Sequence, residues 1–280
     1  MRTFIGKKEI NEFLNNNLQQ YQIAASTKYI AQEYQHPLFK IKVYKTGTIT
    51  IDGKKEQDIY NKFIDLLQED NYLGLDEVGV GDFFGPTVYA IVKLTPHNKK
   101  SLKDLKINIK DSKKLKDQEI IEIYQKIKTL IDYQVEIIWD KDIPNNYNSI
   151  EQKAYYHYRN YQKITFEQEA KIVIDLFTTL NNFRKVSTKL NINYPNKLIL
   201  ENQADSKYFV VALASIIARY YFIQEMNKLN KKYNFEFSYG ANVKKQAQEF
   251  VNLYSKKELA TFCKITFKTF NELKESNEKI

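Results

Sequence analysis

Two adjacent carboxylates, Asp76 and Glu77, end a short apolar run and open directly into a loop carrying Gly79, Gly81, Gly85 and Pro86. The run reads as a buried β-strand, and the glycines as a loop whose backbone something must approach closely. Neighbouring residues of a regular strand point to opposite faces. Both acids can therefore serve one ligand only at a strand end, where the chain turns. Two clustered acids repel unless a cation lies between them, and hard divalent ions such as Mg²⁺ take carboxylate oxygen. The plain alternative is a surface-turn acid pair, against which the apolar strand and the glycine loop both weigh. A third acid, Asp175, ends the run Lys171-Ile-Val-Ile-Asp175, with Val173 and Asp175 on one face and Ile172 and Ile174 on the other. Taken alone it could cap a loop; in one sheet with Asp76 and Glu77 it reads as a metal ligand. Asp205 precedes a helix and suits an N-cap. That helix is apolar almost all round and must be buried, which puts its start near the ends of the central strands. Glu201 is the rival for the fourth acid.

The elements that must position these acids fall into two groups. Residues 1–66 read as a small separate unit, with a short helix over 9–18 and a β-hairpin over 38–52. In the hairpin Ile41 and Val43 alternate with Lys40, Lys42 and Tyr44, Thr46-Gly47 makes the turn, and Ile49 and Ile51 alternate with Thr48 and Thr50. Residues 57–68 follow as an amphipathic helix. Five lysines against one acid lie between Leu38 and Lys55, and Lys40, Lys42 and Tyr44 share one sheet face. Such a face suits phosphates and sugar or base edges, or is an ordinary solvated surface. From residue 71 onward strands over 72–77, 87–94, 134–139, 171–177 and 197–200 intersperse with helices over 116–130, 150–169 and 206–233. This order predicts an α/β class, with α+β character, as a mixed sheet covered by helices.

Composition narrows the chemistry. The chain has 280 residues and carries 43 Lys+Arg against 34 Asp+Glu, a formal charge of +9 that favours a polyanionic partner. Its three histidines, His36, His97 and His157, stand at no ligand spacing, so carboxylates must carry any catalysis. A single cysteine, Cys263, excludes an intrachain disulfide framework and a cysteine-based zinc site, and points to a cytoplasmic location. The longest apolar stretch, 209–218, stops at Arg219 and falls short of the ~20 residues that span a bilayer. No membrane partner is expected, and the N-terminus has no signal-peptide core.

Asp76-Glu-Val-Gly-Val-Gly-Asp-Phe-Phe-Gly-Pro86 resembles the first active-site motif of type 2 ribonucleases H, and specifically of ribonuclease HIII. Lys110-Asp-Ser-Lys-Lys-Leu115 resembles the family's DSKKL element, 171–175 its central acidic strand, and 204–219 its last motif with the helix that follows. Val43-Tyr-Lys-Thr-Gly47 resembles part of the TATA-binding-protein-like N-terminal domain of ribonuclease HIII, which grips RNA/DNA hybrid. The resemblance implies a hybrid-binding domain over 1–66, an α+β domain, and a ribonuclease H-like catalytic domain over 71–280. It implies an enzyme that hydrolyses the RNA strand of RNA/DNA hybrids, leaving 5′-phosphate and 3′-hydroxyl ends; a monomer is expected. Asp76, Glu77, Asp175 and Asp205 would hold two Mg²⁺ (or Mn²⁺) ions about 4 Å apart. Gly79, Val80 and Gly81 would meet the RNA 2′-hydroxyls, Ser112, Lys113 and Lys114 the substrate backbone, and Lys40, Lys42 and Tyr44 the hybrid. Two departures matter: ribonuclease HIII usually has Glu where this chain has Asp205, and ribonuclease HII has Gly-Arg-Gly where this chain has Val80. The alternatives are ribonuclease HII-type incision at single embedded ribonucleotides and a hybrid-binding protein without catalysis.

Overall fold

The computed structural model describes residues 2–5, 8–56, 58–59, 71–105, 115–144, 147–164, 170–194, 197–238 and 242–274. The chain divides into two compact units, Met1–Asn71 and Tyr72–Ile280. The first holds β1 (Arg2–Ile5), α1 (Lys8–Leu18), β2 (Gln22–Ile23), β3 (Ile30–His36), β4 (Phe39–Tyr44) and β5 (Thr48–Asp52). These strands form an antiparallel sheet of order β1-β5-β4-β3-β2. The hairpin forms as its alternation requires: Ile41 pairs with Ile51 and Val43 with Ile49, around a turn at Gly47, whose φ is +83°. Ile41, Ile49 and Ile51 bury against Ile10 and Leu14 of α1, leaving Lys40, Lys42 and Tyr44 half-buried on the opposite face. The helix expected over 57–68 lies almost wholly outside the described residues.

The second unit runs β6 (Asn71–Val78), β7 (Thr87–Leu94), α2 (Pro96–Asp104), α3 (Asp117–Ile127), β8 (Asp132–Ile138), α4 (Ser149–Lys163), β9 (Ala170–Asp175), α5 (Leu180–Lys189), β10 (Leu198–Glu201), α6 (Ala204–Lys207), α7 (Phe209–Tyr233) and α8 (Val243–Leu253). Its sheet has the order β10-β9-β6-β7-β8, antiparallel from β6 through β8 and parallel between β9 and β10. Alternation sorts the two faces. Tyr72, Ala90, Val92 and Val173 pack in one core with α7. Leu73, Leu75, Ile91, Ile172 and Ile174 pack on the other side with Tyr161 and Ile164, at the end of α4.

Gly74 marks where α7 meets the sheet. A Cβ there would stand 2.5 Å from the Val210 carbonyl carbon and 2.6 Å from its oxygen, so only glycine lets the helix lie this close. The single helix expected over 206–233 is two. Tyr208, at φ −121° and ψ 115°, separates α6 from α7. The apolar character of α7 also continues past Arg219, through Phe222, Ile223, Met226 and Leu229. Its 25 residues are long and apolar enough to cross a bilayer, and two thirds of its apolar window is buried inside the unit.

Candidate active site

β6 does not turn at the acid pair. Its pairing continues through Asp76↔Ala90 and Glu77↔Tyr89 to Val78↔Val88, which sends the two side chains to opposite faces. Asp76 points toward α7, is 7% exposed, and takes a hydrogen bond from Ser215. Burial, with the negative charges of Glu77 and Asp175, holds its carboxyl well above the usual range despite that bond. Asp175 ends β9 on the same face, since it shares the alternation of the core residue Val173.

Glu77 faces α4. Lys153 Nζ lies 2.6 Å from its Oε1 and His157 Nε2 lies 2.7 Å from its Oε2. Lys153 and His157 are four apart on one helix and thus neighbours on its surface. Burial alone would raise the Glu77 carboxyl; the bond from His157 and the charge of Lys153 outweigh it and hold it below its ordinary value. The His157 ring is buried edge-on to Tyr89, with centroids 5.1 Å apart, and is stacked on Phe177.

The remaining acids gather around α6. Asp175 Oδ1 accepts the Ala204 N–H at 3.0 Å, so this strand-end carboxylate caps the short helix from outside it. Glu201 pairs with Asp175 in register across the parallel strands, on the same face, and is engaged by Lys207. Asp205 is the second residue of α6 and not a cap of the long helix. It is half-buried, and its Oδ1 accepts the Ser206 N–H at 3.0 Å. Asp76, Asp175 and Glu201 therefore share one face with α6 at its edge, while Glu77 lies on the other. Among the described residues no three His, Cys, Asp or Glu side chains converge closely enough to hold a metal ion. The donors are nonetheless all oxygen, the set a hard divalent cation takes, and Asp76 carries the burial and charge crowding that such a cation would relieve.

The loop after β6 explains its glycines. Gly79 (φ +93°) and Gly85 (φ +88°) adopt left-handed backbone, and a Cβ on Gly79 would strike Pro86 and the Phe222 ring. Above Gly81 a Cβ would meet nothing within 4 Å, so the loop is open there, beside a half-exposed Val80. Ser112, Lys113 and Lys114 lie outside the described residues. In the first unit Lys40 and Lys42 reach Glu33 Oε1, at 2.8 and 3.8 Å, and the Ser26 N–H reaches its Oε2 at 2.7 Å. Glu33 is fully buried. Burial would raise its carboxyl, yet Lys40 and Ser26 bring it down to about 2. Sequence reasoning missed Glu33, Lys153, His157 and Ser215. Only the i,i+4 spacing of Lys153 and His157 on an expected helix offered a signal.

A mixed five-stranded sheet with acids at the ends of β9 and β10 and near the end of the adjoining β6 defines a ribonuclease H-like domain. The ribonuclease HII family matches residues 73–270, and the chain belongs to that family, as a ribonuclease H enzyme. It is similar to ribonuclease HIII of Streptococcus pneumoniae (strain Taiwan19F-14), 29% identical over 98% of this chain and 97% of that one. A mutant of Bst-RNase HIII shares the fold with a TM-score of 0.69, at 23% identity over 96% of each chain. Bst-RNase HIII in complex with Mn²⁺ does so with a TM-score of 0.67, at 23% identity over 96% of each chain.

Proposed function

We propose that this chain is a ribonuclease H of the HIII type, an endonuclease that cuts the RNA strand of RNA/DNA hybrids and leaves 5′-phosphate and 3′-hydroxyl ends. Its cofactor is Mg²⁺ or Mn²⁺, with two ions per site, and it works as a monomer in the cytoplasm. The observation that carries the reading is Asp76, a buried carboxylate with the charge of Asp175 beside it on one face of the sheet. Burial and like charge both disfavour its ionised form, and a divalent cation between the two acids removes both penalties. When bound, a pair of such ions supplies activated water for in-line attack and stabilises the leaving 3′-oxygen.

Asp76 and Asp175 would hold the metal, with Asp205 and Glu201 as the candidate further donors and substrate phosphate oxygens completing the set. Ser215 orients Asp76 from α7, and the Ala204 N–H orients Asp175. Glu77, kept ionised by Lys153 and His157, acts on Asp76 through its charge from across the strand. The open backbone at Gly81 leaves room for an RNA 2′-hydroxyl, the group that distinguishes RNA from DNA. Val80 offers no cation, so recognition there is by main chain. The N-terminal unit favours the HIII reading, because the similarity to ribonuclease HIII includes it whereas the family match begins at residue 73. Its Lys40, Lys42 and Tyr44 face would grip the hybrid.

The test is cleavage of a continuous RNA/DNA hybrid beside a DNA duplex carrying one ribonucleotide, each with Mg²⁺, Mn²⁺ or EDTA. The proposal expects metal-dependent cutting of the hybrid and little of the second substrate. The reverse preference replaces it with ribonuclease HII specificity, and no cutting of either replaces it with a binding protein.

A further inference from the structure

Lysine is almost never buried without a partner, yet Lys264 is only 3% exposed, directly beneath the loop that follows Asp76 and Glu77. Its Nζ donates to the Gly85 carbonyl at 2.6 Å, across 179 residues of sequence. The backbone on both sides joins in. The Lys264 N–H donates to Phe83 O at 2.8 Å, the Gly85 N–H donates to Phe262 O at 2.9 Å, and Phe84 bridges Cys263. Residues 262–264 thus act as a short extra strand holding 83–85. A methionine would fill the same space without the cost of burying a charge, so what the ammonium adds is its grip on Gly85 O. Gly85 itself is in left-handed backbone, where the direction of the carbonyl decides the course of the loop.

We propose that Lys264 is a positioning residue for the substrate: by holding the Gly85 carbonyl it fixes the loop so that Gly79, Val80 and Gly81 stand at the height the RNA strand requires. This rests on the reading that the loop meets the substrate. The charged and titratable groups facing Lys264 are Asp82 in the loop, Asp140 after β8, and Cys263 beside it. Burial brings the ammonium down to about 8, with the two acids resisting, while burial keeps the Cys263 thiol neutral by pushing it up to about 12. A free lysine titrates at 10.5. Between about 8 and 10.5 the unfolded chain therefore holds a proton the folded chain has released, and the Lys264 contribution to stability rises with pH. Its grip on Gly85 weakens over the same interval, so positioning and stability move in opposite directions.

The experiment measures KM and kcat on a continuous hybrid for wild type, Lys264→Met, Lys264→Gln and Gly81→Leu, from about pH 7 to about pH 9.5, with thermal melts alongside. A hydrogen bond from a charged group is worth enough to predict a roughly tenfold rise in KM for Lys264→Met at pH 7, with kcat at saturation little changed. Wild-type KM rises above pH 8 while that of the Met variant stays flat, and Lys264→Gln, which keeps a donor without the charge, lies between them and is also flat. A fall in kcat as large as the rise in KM for Lys264→Met, tracking its melting temperature, or a wild-type KM flat with pH, overturns the proposal. Should the Met variant not fold, the wild-type and Gln profiles decide. Gly81→Leu places a side chain in the open space above the loop. If it leaves KM unchanged, the reading of the loop itself fails; if it raises KM while Lys264→Met does not, only the role of Lys264 fails.

Discussion

Substituting Gly74 by alanine tests how closely the long helix must lie on the central strand. The added methyl would sit 2.5 Å from Val210 C, 2.6 Å from Val210 O and 2.7 Å from Val211 N, whereas ordinary contact begins at 3.4 Å. All three atoms are backbone, so the first turn of α7 must move off β6 by roughly 1 Å. Overpacking of this kind costs up to about 3 kcal/mol. Alanine regains about 0.5–1 kcal/mol over glycine inside a strand, leaving a net loss near 2 kcal/mol. The unit holding the site has about 210 residues. At that size each kcal/mol lowers Tm by about 2–4 °C, so Gly74→Ala should melt about 4–8 °C below wild type by far-UV circular dichroism. Cleavage should fall too, because Ser215 on the displaced helix bonds Asp76. Gly81→Ala is the control: its methyl meets open space, and stability should stay within about 0.5 kcal/mol. A Gly74→Ala protein that melts at or above the wild-type temperature refutes the packing argument.

Three further outcomes follow from the same geometry. His157→Leu removes one hydrogen bond from the Glu77 carboxylate, whose side chain is 10% exposed, and leaves it with Lys153; it should cost roughly 2 kcal/mol in urea unfolding at pH 7. Because the folded Glu77 titrates below its ordinary 4.5, the stability it contributes is complete above that pH and is lost as pH falls through the folded value; a gap between the two proteins that widens in acid would contradict this. In the first unit Glu33 is held at about 2 against an ordinary 4.5, so its contribution also fades as pH drops from 4.5 toward 2, and Glu33→Gln should flatten that part of the curve when the amide signals of β4 are followed by NMR. Removing residues 1–66 should weaken hybrid binding far more than it slows saturated cleavage, and equal affinity with and without them would dismiss that unit's role.

Local pattern was enough for the hairpin over 38–52, for the strand that carries Asp76 and for the one that ends at Asp175, because burial on one face writes a period of two into the sequence. It failed where partners come from far along the chain. The reading that the chain turns at Asp76 and Glu77 required β6 to end there, but pairing with Val88 carries it to Val78. Alternation then parts the two acids, and Glu77 finds Lys153 and His157 about 80 residues away. Asp205, expected as a metal ligand with the cap of one long helix as the plain alternative, lies inside the short α6, and nothing local marks the break at Tyr208 that places it there. The cap of α6 is Asp175, contributed by another strand. The positive face of β4 was read from the lysines between 38 and 55, while the acid that ties two of them, Glu33, sits on β3.

The central claim is that a carboxylate site built on Asp76 cuts RNA paired with DNA. The direct measurement is cleavage of an end-labelled RNA/DNA hybrid with Mg²⁺ by wild type, Asp76→Asn, Asp205→Asn and Glu201→Gln, with hybrid affinity measured beside each. Wild type should cut the hybrid and Asp76→Asn should not, at unchanged affinity. Whichever of Asp205→Asn and Glu201→Gln loses activity identifies the further donor. Wild-type levels of cutting by Asp76→Asn would rule out a catalytic metal site built on Asp76.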